Sequence, residues 1–166
     1  VSPSSLKPQA SSPPLTISLN LQAKDADPPL SGWLEDQLRG AAVAAGVESG
    51  RINVMIVDDA AMTELHERYA DSTGTTDVLS FDLRESDTDM LEADIVVCLD
   101  VASRQAEARG HDARLEALLY SVHGLLHLLG EDDHDAEGYD RMHRREDELL
   151  AAIGLGPVFF RSTKTR

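Results

Sequence analysis

From Leu115 to Leu129 the chain reads Leu-Glu-Ala-Leu-Leu-Tyr-Ser-Val-His-Gly-Leu-Leu-His-Leu-Leu. Its second half is apolar nearly all round, so a helix over this stretch must be buried rather than laid on a surface. Any fold for the chain has to wrap this helix, and the helix carries His123 and His127 four residues apart. That spacing puts both imidazoles on one face, one turn apart, where they can reach a single ion. Gly130 stops the helix, and the turn after it can bring His134 back to the same point. Three neutral imidazoles suit zinc and leave a coordination position open. The site expected from the residues is therefore one zinc ion held by His123, His127 and His134. Asp133, beside His134, is the competing third ligand, since carboxylates also bind zinc.

The pattern around this helix predicts an α+β domain. Leu15–Leu21 alternates apolar and polar as a half-buried strand, Ile52–Val57 and Asp77–Phe81 give two more, and the apolar run Asp94–Leu99 is a fourth, central strand. Helices are expected from Trp33 to about Ala45 (capped by Ser31 and ended by Gly46) and from Ala60 to Ala70 behind Asp58 or Asp59. Three more follow at Val101–Arg109, Ala113–Leu129 and Ala136–Ile153. Strands come early and helices late, so about four strands form a small mixed sheet packed with about five helices. Residues 1–14, with four prolines and five serines, read as a disordered arm, 15–153 as one metal-hydrolase domain and 154–166 as a tail.

Composition narrows the class. The 166 residues suit one domain with a full core, and no stretch approaches the length of a membrane span or a signal peptide. The one cysteine, Cys98, cannot form an internal disulfide and lies in an apolar strand, which points to a reducing cytoplasm and a packing role. A net charge of −15 argues against a broad phosphate-binding surface. A bound divalent ion would add local positive charge that this count omits. Gly124 occupies the place where a zinc peptidase has its glutamate base, so the peptidase reading loses its chemistry. A closed structural zinc site would need a fourth ligand, for which Cys98 is a distant candidate.

The run His-Gly-Leu-Leu-His-Leu-Leu-Gly followed by Asp and His resembles the signature of the YbeY family of bacterial endoribonucleases. Thr76-Asp77-Val78-Leu79-Ser80-Phe81 is similar to that family's second hallmark, and Ala93-Asp94-Ile95-Val96 with Gln105-Ala106 and Gly110-His111 to its third. The resemblance implies an α+β fold and one zinc held by three histidines. It also implies cleavage of single-stranded RNA in 16S ribosomal RNA 3′-end maturation and ribosome quality control, with ribosomal RNA and the small subunit as partners and neither DNA nor membrane. Two departures stand out. The family's third histidine lies six residues after the second, where this chain has Asp133, with His134 one further on. An arginine that many members carry before the second hallmark, thought to assist on the phosphate, falls on Ala70, with Arg68 nearby. His111 and Ser80 are candidates for hydrogen bonds to substrate, and no general base is assigned. Two other functions remain open: a non-catalytic ribosome-assembly factor that keeps zinc as a clip, and a zinc hydrolase of another substrate class.

Overall fold

The computed structural model describes residues 12–86 and 90–158. The chain runs β1 (Leu15–Leu21), α1 (Pro28–Ala44), β2 (Gly50–Val57), α2 (Asp59–Tyr69), β3 (Val78–Asp82) and β4 (Leu91–Cys98), then α3 (Leu99–Arg109), α4 (Ala113–Leu128) and α5 (Ala136–Ala152). The four strands form one mixed sheet in the order β1-β2-β4-β3, with β1, β2 and β4 parallel and β3 antiparallel to β4. This is the expected α+β architecture, with β4 internal as its apolar run requires.

The sheet's two faces are covered unequally. Ile52, Val54, Ile56, Ala93, Ile95 and Val97 point into the main core, which α1, α4 and α5 close with Leu34, Leu38, Leu118, Leu125 and Leu150. On the opposite face Val57, Val96 and Cys98 meet Met62 of α2 in a smaller cluster. Burial on both faces is why β4 shows no alternation in sequence. Cys98 is fully buried there and acts as the small packing residue expected of it.

Helix boundaries differ from expectation where proline chemistry intervenes. Helix α1 begins at Pro28, not Trp33. Asp27 is extended and Pro28 and Pro29 occupy the first turn, where their fixed φ suits a helix and their missing N–H groups cost nothing. Gly46 ends the helix with φ 93°, as expected. Helix α2 is capped by Asp58, whose side chain accepts from the Ala61 amide at 2.9 Å. The packed chain also extends past Ile153. Leu155 lies on the core and Val158 is buried, its amide donating to Asp147 Oδ1 at 2.7 Å. The expectations for residues 1–11 of the arm, for 87–89 of the loop before β4 and for the Phe159–Phe160 tail lie outside the described residues.

Gly124 shows why helix α4 can sit so close to the sheet. A Cβ at this position would meet Ile95 Cγ2 and Val78 Cγ2 at 3.3 Å and Ser80 Cβ at 3.6 Å. The glycine is a close-approach position between α4 and strands β3 and β4, with the Ser80 Cβ beside it. Helix α4 should therefore dominate stability. Leu125→Ala, at a fully buried position, is expected to cost about 3 kcal/mol in urea denaturation; a loss under about 1 kcal/mol would contradict this packing.

Candidate metal centre

Helix α4 carries a polar stripe along an otherwise apolar cylinder. Glu116, Tyr120, His123 and His127 succeed one another at helical spacing, and α3 and α5 pack beside them. Within this stripe the two histidines are held in matching orientation. Nδ1 of His123 donates to Glu146 Oε1 of α5, and Nδ1 of His127 donates to the Glu131 carbonyl at 3.1 Å. With both Nδ1 protons engaged, the two Nε2 atoms turn their lone pairs toward each other across 3.0 Å. Such a pair fits a cation between or beside the rings. Carboxylate and carbonyl partners behind imidazole ligands are the usual way a metal site fixes its tautomers.

The third group that the structure brings to the two Nε2 atoms comes from the turn after Gly130, and it is Asp133. Its Oδ2 lies 3.5 Å from His123 Nε2 and its Oδ1 3.6 Å from His127 Nε2. The ligand atoms of His123, His127 and Asp133 fall within 4.8 Å of one another, a span one ion can bridge. His134, the third ligand expected from sequence, is not brought to this point. Its side chain is 85% exposed and its Nδ1 faces Asp132 Oδ1 at 2.9 Å.

The reason is the rigidity of the turn. Gly130 adopts φ 95°, and the Glu131 amide donates back to the Leu126 carbonyl at 3.0 Å. At the far end Asp135 caps α5 through the Gly138 amide at 2.6 Å. Gly138 sits so tightly that a Cβ would meet the Asp132 carbonyl at 2.3 Å. Pinned at both ends, the turn does not absorb the extra residue. The residue six after His127 is the one this turn directs toward the histidines.

Behind His123, Glu146 is fully buried and accepts from two imidazoles, His123 and, at 2.6 Å, Nδ1 of His143. Burial alone would push its carboxyl up, but the two hydrogen bonds outweigh burial and hold it below the usual carboxylate range. Burial would likewise depress His123. The Glu146 carboxylate, aided by Asp133 and Asp77, overrides that and keeps the imidazole above its ordinary value. The sequence offered a signal for Glu146 that composition hides. Met142, Glu146, Leu149 and Leu150 form the buried stripe of α5, and an acid on such a stripe needs a partner.

The same cleft is lined by Asp77, Arg109, Tyr120, Tyr139 and His143. Burial and the nearby Glu116 raise the Tyr120 hydroxyl, which stays protonated at neutral pH. The other candidates read from sequence lie elsewhere. His111 Nε2 is tied to Glu116 Oε1 at 2.6 Å. Ala70 is the exposed C-cap of α2, and Arg68 pairs loosely with Glu64 at 3.6 Å on the surface. Neither Ala70 nor Arg68 lines the cleft among the described residues.

Comparison with known proteins gives concordant results. The family described as endoribonuclease YbeY matches residues 18–154. The endoribonuclease YbeY of Pelotomaculum thermopropionicum is 36% identical over 150 residues, covering 86% of this chain and 98% of that protein. That of Moorella thermoacetica is 37% identical over 154 residues, covering 85% and 99%. The fold is similar to the solution structure of TM1509 from Thermotoga maritima, with a TM-score of 0.56 at 24% identity over 90% of this chain and 94% of the other.

The geometry yields a ranking. Asp133→Ala should lower zinc affinity far more than His134→Ala, and Glu146→Gln should lower it about 10- to 100-fold by loosening His123. Competition with a fluorescent chelator measures all three; a larger loss at His134 than at Asp133 would contradict the ranking.

Proposed function

This chain belongs to the endoribonuclease YbeY family, and from that premise we propose that it is a zinc-dependent endoribonuclease that cuts single-stranded ribosomal RNA during maturation of 16S ribosomal RNA in the cytoplasm. The observation that carries the reading is the convergence of His123 Nε2, His127 Nε2 and the Asp133 carboxylate, with His123 and Asp133 lining an accessible cleft. Two imidazoles and one carboxylate form a donor set that zinc takes in catalytic sites. When bound, the ion supplies a Lewis acid that polarises a phosphoryl oxygen.

The chain's own groups do the rest. Glu146 holds His123 in the tautomer that presents Nε2, and the Glu131 carbonyl does the same for His127. The Tyr120 hydroxyl, kept protonated by burial and by Glu116, lies on the cleft wall. Tyr139, 43% exposed at the cleft and edge-on to His143 with centroids 4.2 Å apart, offers a ring on which an unpaired base can stack. Stacking of that kind favours a single strand over a duplex, whose bases are already stacked on one another. No helix among the described residues is long and apolar enough to cross a membrane. Engagement of the small ribosomal subunit follows from the same premise.

The reading competes with a metal-clipped assembly factor that does not cut RNA, which the −15 net charge and the alanine at position 70 favour. Cleavage of labelled single-stranded and duplex RNA separates them. The zinc-loaded protein should cut the single strand and spare the duplex, lose activity to a chelator, and lose about a hundredfold in rate in His123→Ala. Wild-type protein that cuts no faster than His123→Ala would hand the lead to the assembly factor.

A further inference from the structure

Three carboxylates, Asp77, Asp133 and Glu146, line the cleft beside the imidazoles of His123 and His143, and a phosphodiester entering it needs a compensating cation besides the ion. Among the described residues one arginine lines that cleft, Arg109. It is the last residue of α3, where Gly110 with φ 74° stops the helix and turns the chain away. An adjoining cleft, lined by Thr75, Thr76, Arg104 and Gln105, shares Asp77, Arg109 and Tyr120 with the first. Arg109 therefore stands at the junction of a continuous path leading away from the metal ligands.

We propose that Arg109 is a substrate-binding residue that grips a phosphate of the RNA strand next to the metal ligands. The inference rests on the endoribonuclease reading of the cleft and adds to it the group that holds the strand.

The guanidinium is braced from behind. Its Nη1 donates at 2.9 Å to Oε1 of Glu116, which is fully buried in α4, and the arginine side chain is 28% exposed. A guanidinium has five donors in a rigid fork. Engaging one of them on a buried carboxylate fixes the plane and leaves others for a phosphate, which arginine takes in bidentate fashion. His111 Nε2 reaches the same Glu116 oxygen at 2.6 Å and helps to hold the brace in place. Two other arginines are committed elsewhere. Arg84 is bound to Asp82 and to the Leu128 carbonyl, and Arg104 makes a paired contact with Asp59 at 2.6 and 2.9 Å.

The alternative role for Arg109 is to neutralise Glu116 and nothing more. Removing a buried charge together with its partner separates the two, because the double variant leaves no uncompensated carboxylate. Binding of a short phosphorothioate single-stranded RNA to the zinc-loaded protein, followed against salt concentration, is the readout. Arg109→Gln should weaken binding about tenfold and reduce the slope of log affinity against log salt by about 0.7, the share of one phosphate contact on a single strand. Arg109→Lys should keep the slope, since the charge remains, yet lose kcat/KM because the fork is gone. Glu116→Gln should keep the wild-type slope. The Arg109→Gln/Glu116→Gln double variant should fold and remain as weak as Arg109→Gln. A wild-type slope in Arg109→Gln, or wild-type affinity in the double variant, overturns the proposal while leaving the nuclease reading intact. Wild-type protein that neither binds nor cuts the RNA overturns both.

Discussion

The Glu146 carboxylate, fully buried between the imidazoles of His123 and His143, is the contact on which the rest of the site is built. An unpaired carboxylate at that depth would be costly, so its place on the buried stripe of α5 makes sense only with both imidazole N–H groups in position. The contact fixes α5 against α4 at one point along their length. It also sets the His123 tautomer and so decides which ring nitrogen faces the cleft. Tautomer choice, ligand direction and helix docking thus follow from one hydrogen-bonded group.

The loop between the two helices inherits its geometry from that docking. With α4 ending at Leu128 and α5 capped by Asp135, few residues are available to span the gap, and both ends are tied by backbone hydrogen bonds. A loop so constrained specifies position rather than residue type. Asp133 meets His123 and His127 because it stands six residues beyond His127, and His134 is turned toward solvent because the cap of α5 begins just after it. With Asp133 in place of an imidazole, the candidate donor set carries one more negative charge. A carboxylate at the third position also places more negative charge in the cleft, which sharpens the need for a cation such as Arg109.

Much of this was legible in the sequence, for physical reasons that differ by element. Apolar periodicity located α4, and the i, i+4 rule paired its histidines, because both depend on local geometry alone. The internal place of β4 followed from its unbroken apolar run. The start of α1 lies earlier than the Ser31 cap predicts because Pro28 and Pro29 form its first turn. His134, the third ligand expected from sequence, points away from His123 and His127 for a deeper reason. The identity of the third group depends on whether a turn can stretch, and that is set by contacts such as Gly138 against the Asp132 carbonyl, which join residues across the turn. Glu146 and Arg109 were missed because each acts through a tertiary partner, His123 for one and Glu116 for the other. An acid on the buried stripe of a helix is the sequence signal that would have exposed both networks.

An X-ray absorption spectrum at the zinc edge reads the donor set without reference to activity. Multiple scattering from imidazole rings counts the histidine ligands, and the shortest shell separates nitrogen and oxygen donors near 2 Å from sulfur near 2.3 Å. The zinc-loaded protein should show two imidazoles with light-atom donors, and His134→Ala should leave the spectrum unchanged. A third imidazole that disappears in His134→Ala would contradict the account, because the turn would then have stretched to deliver His134 in place of Asp133.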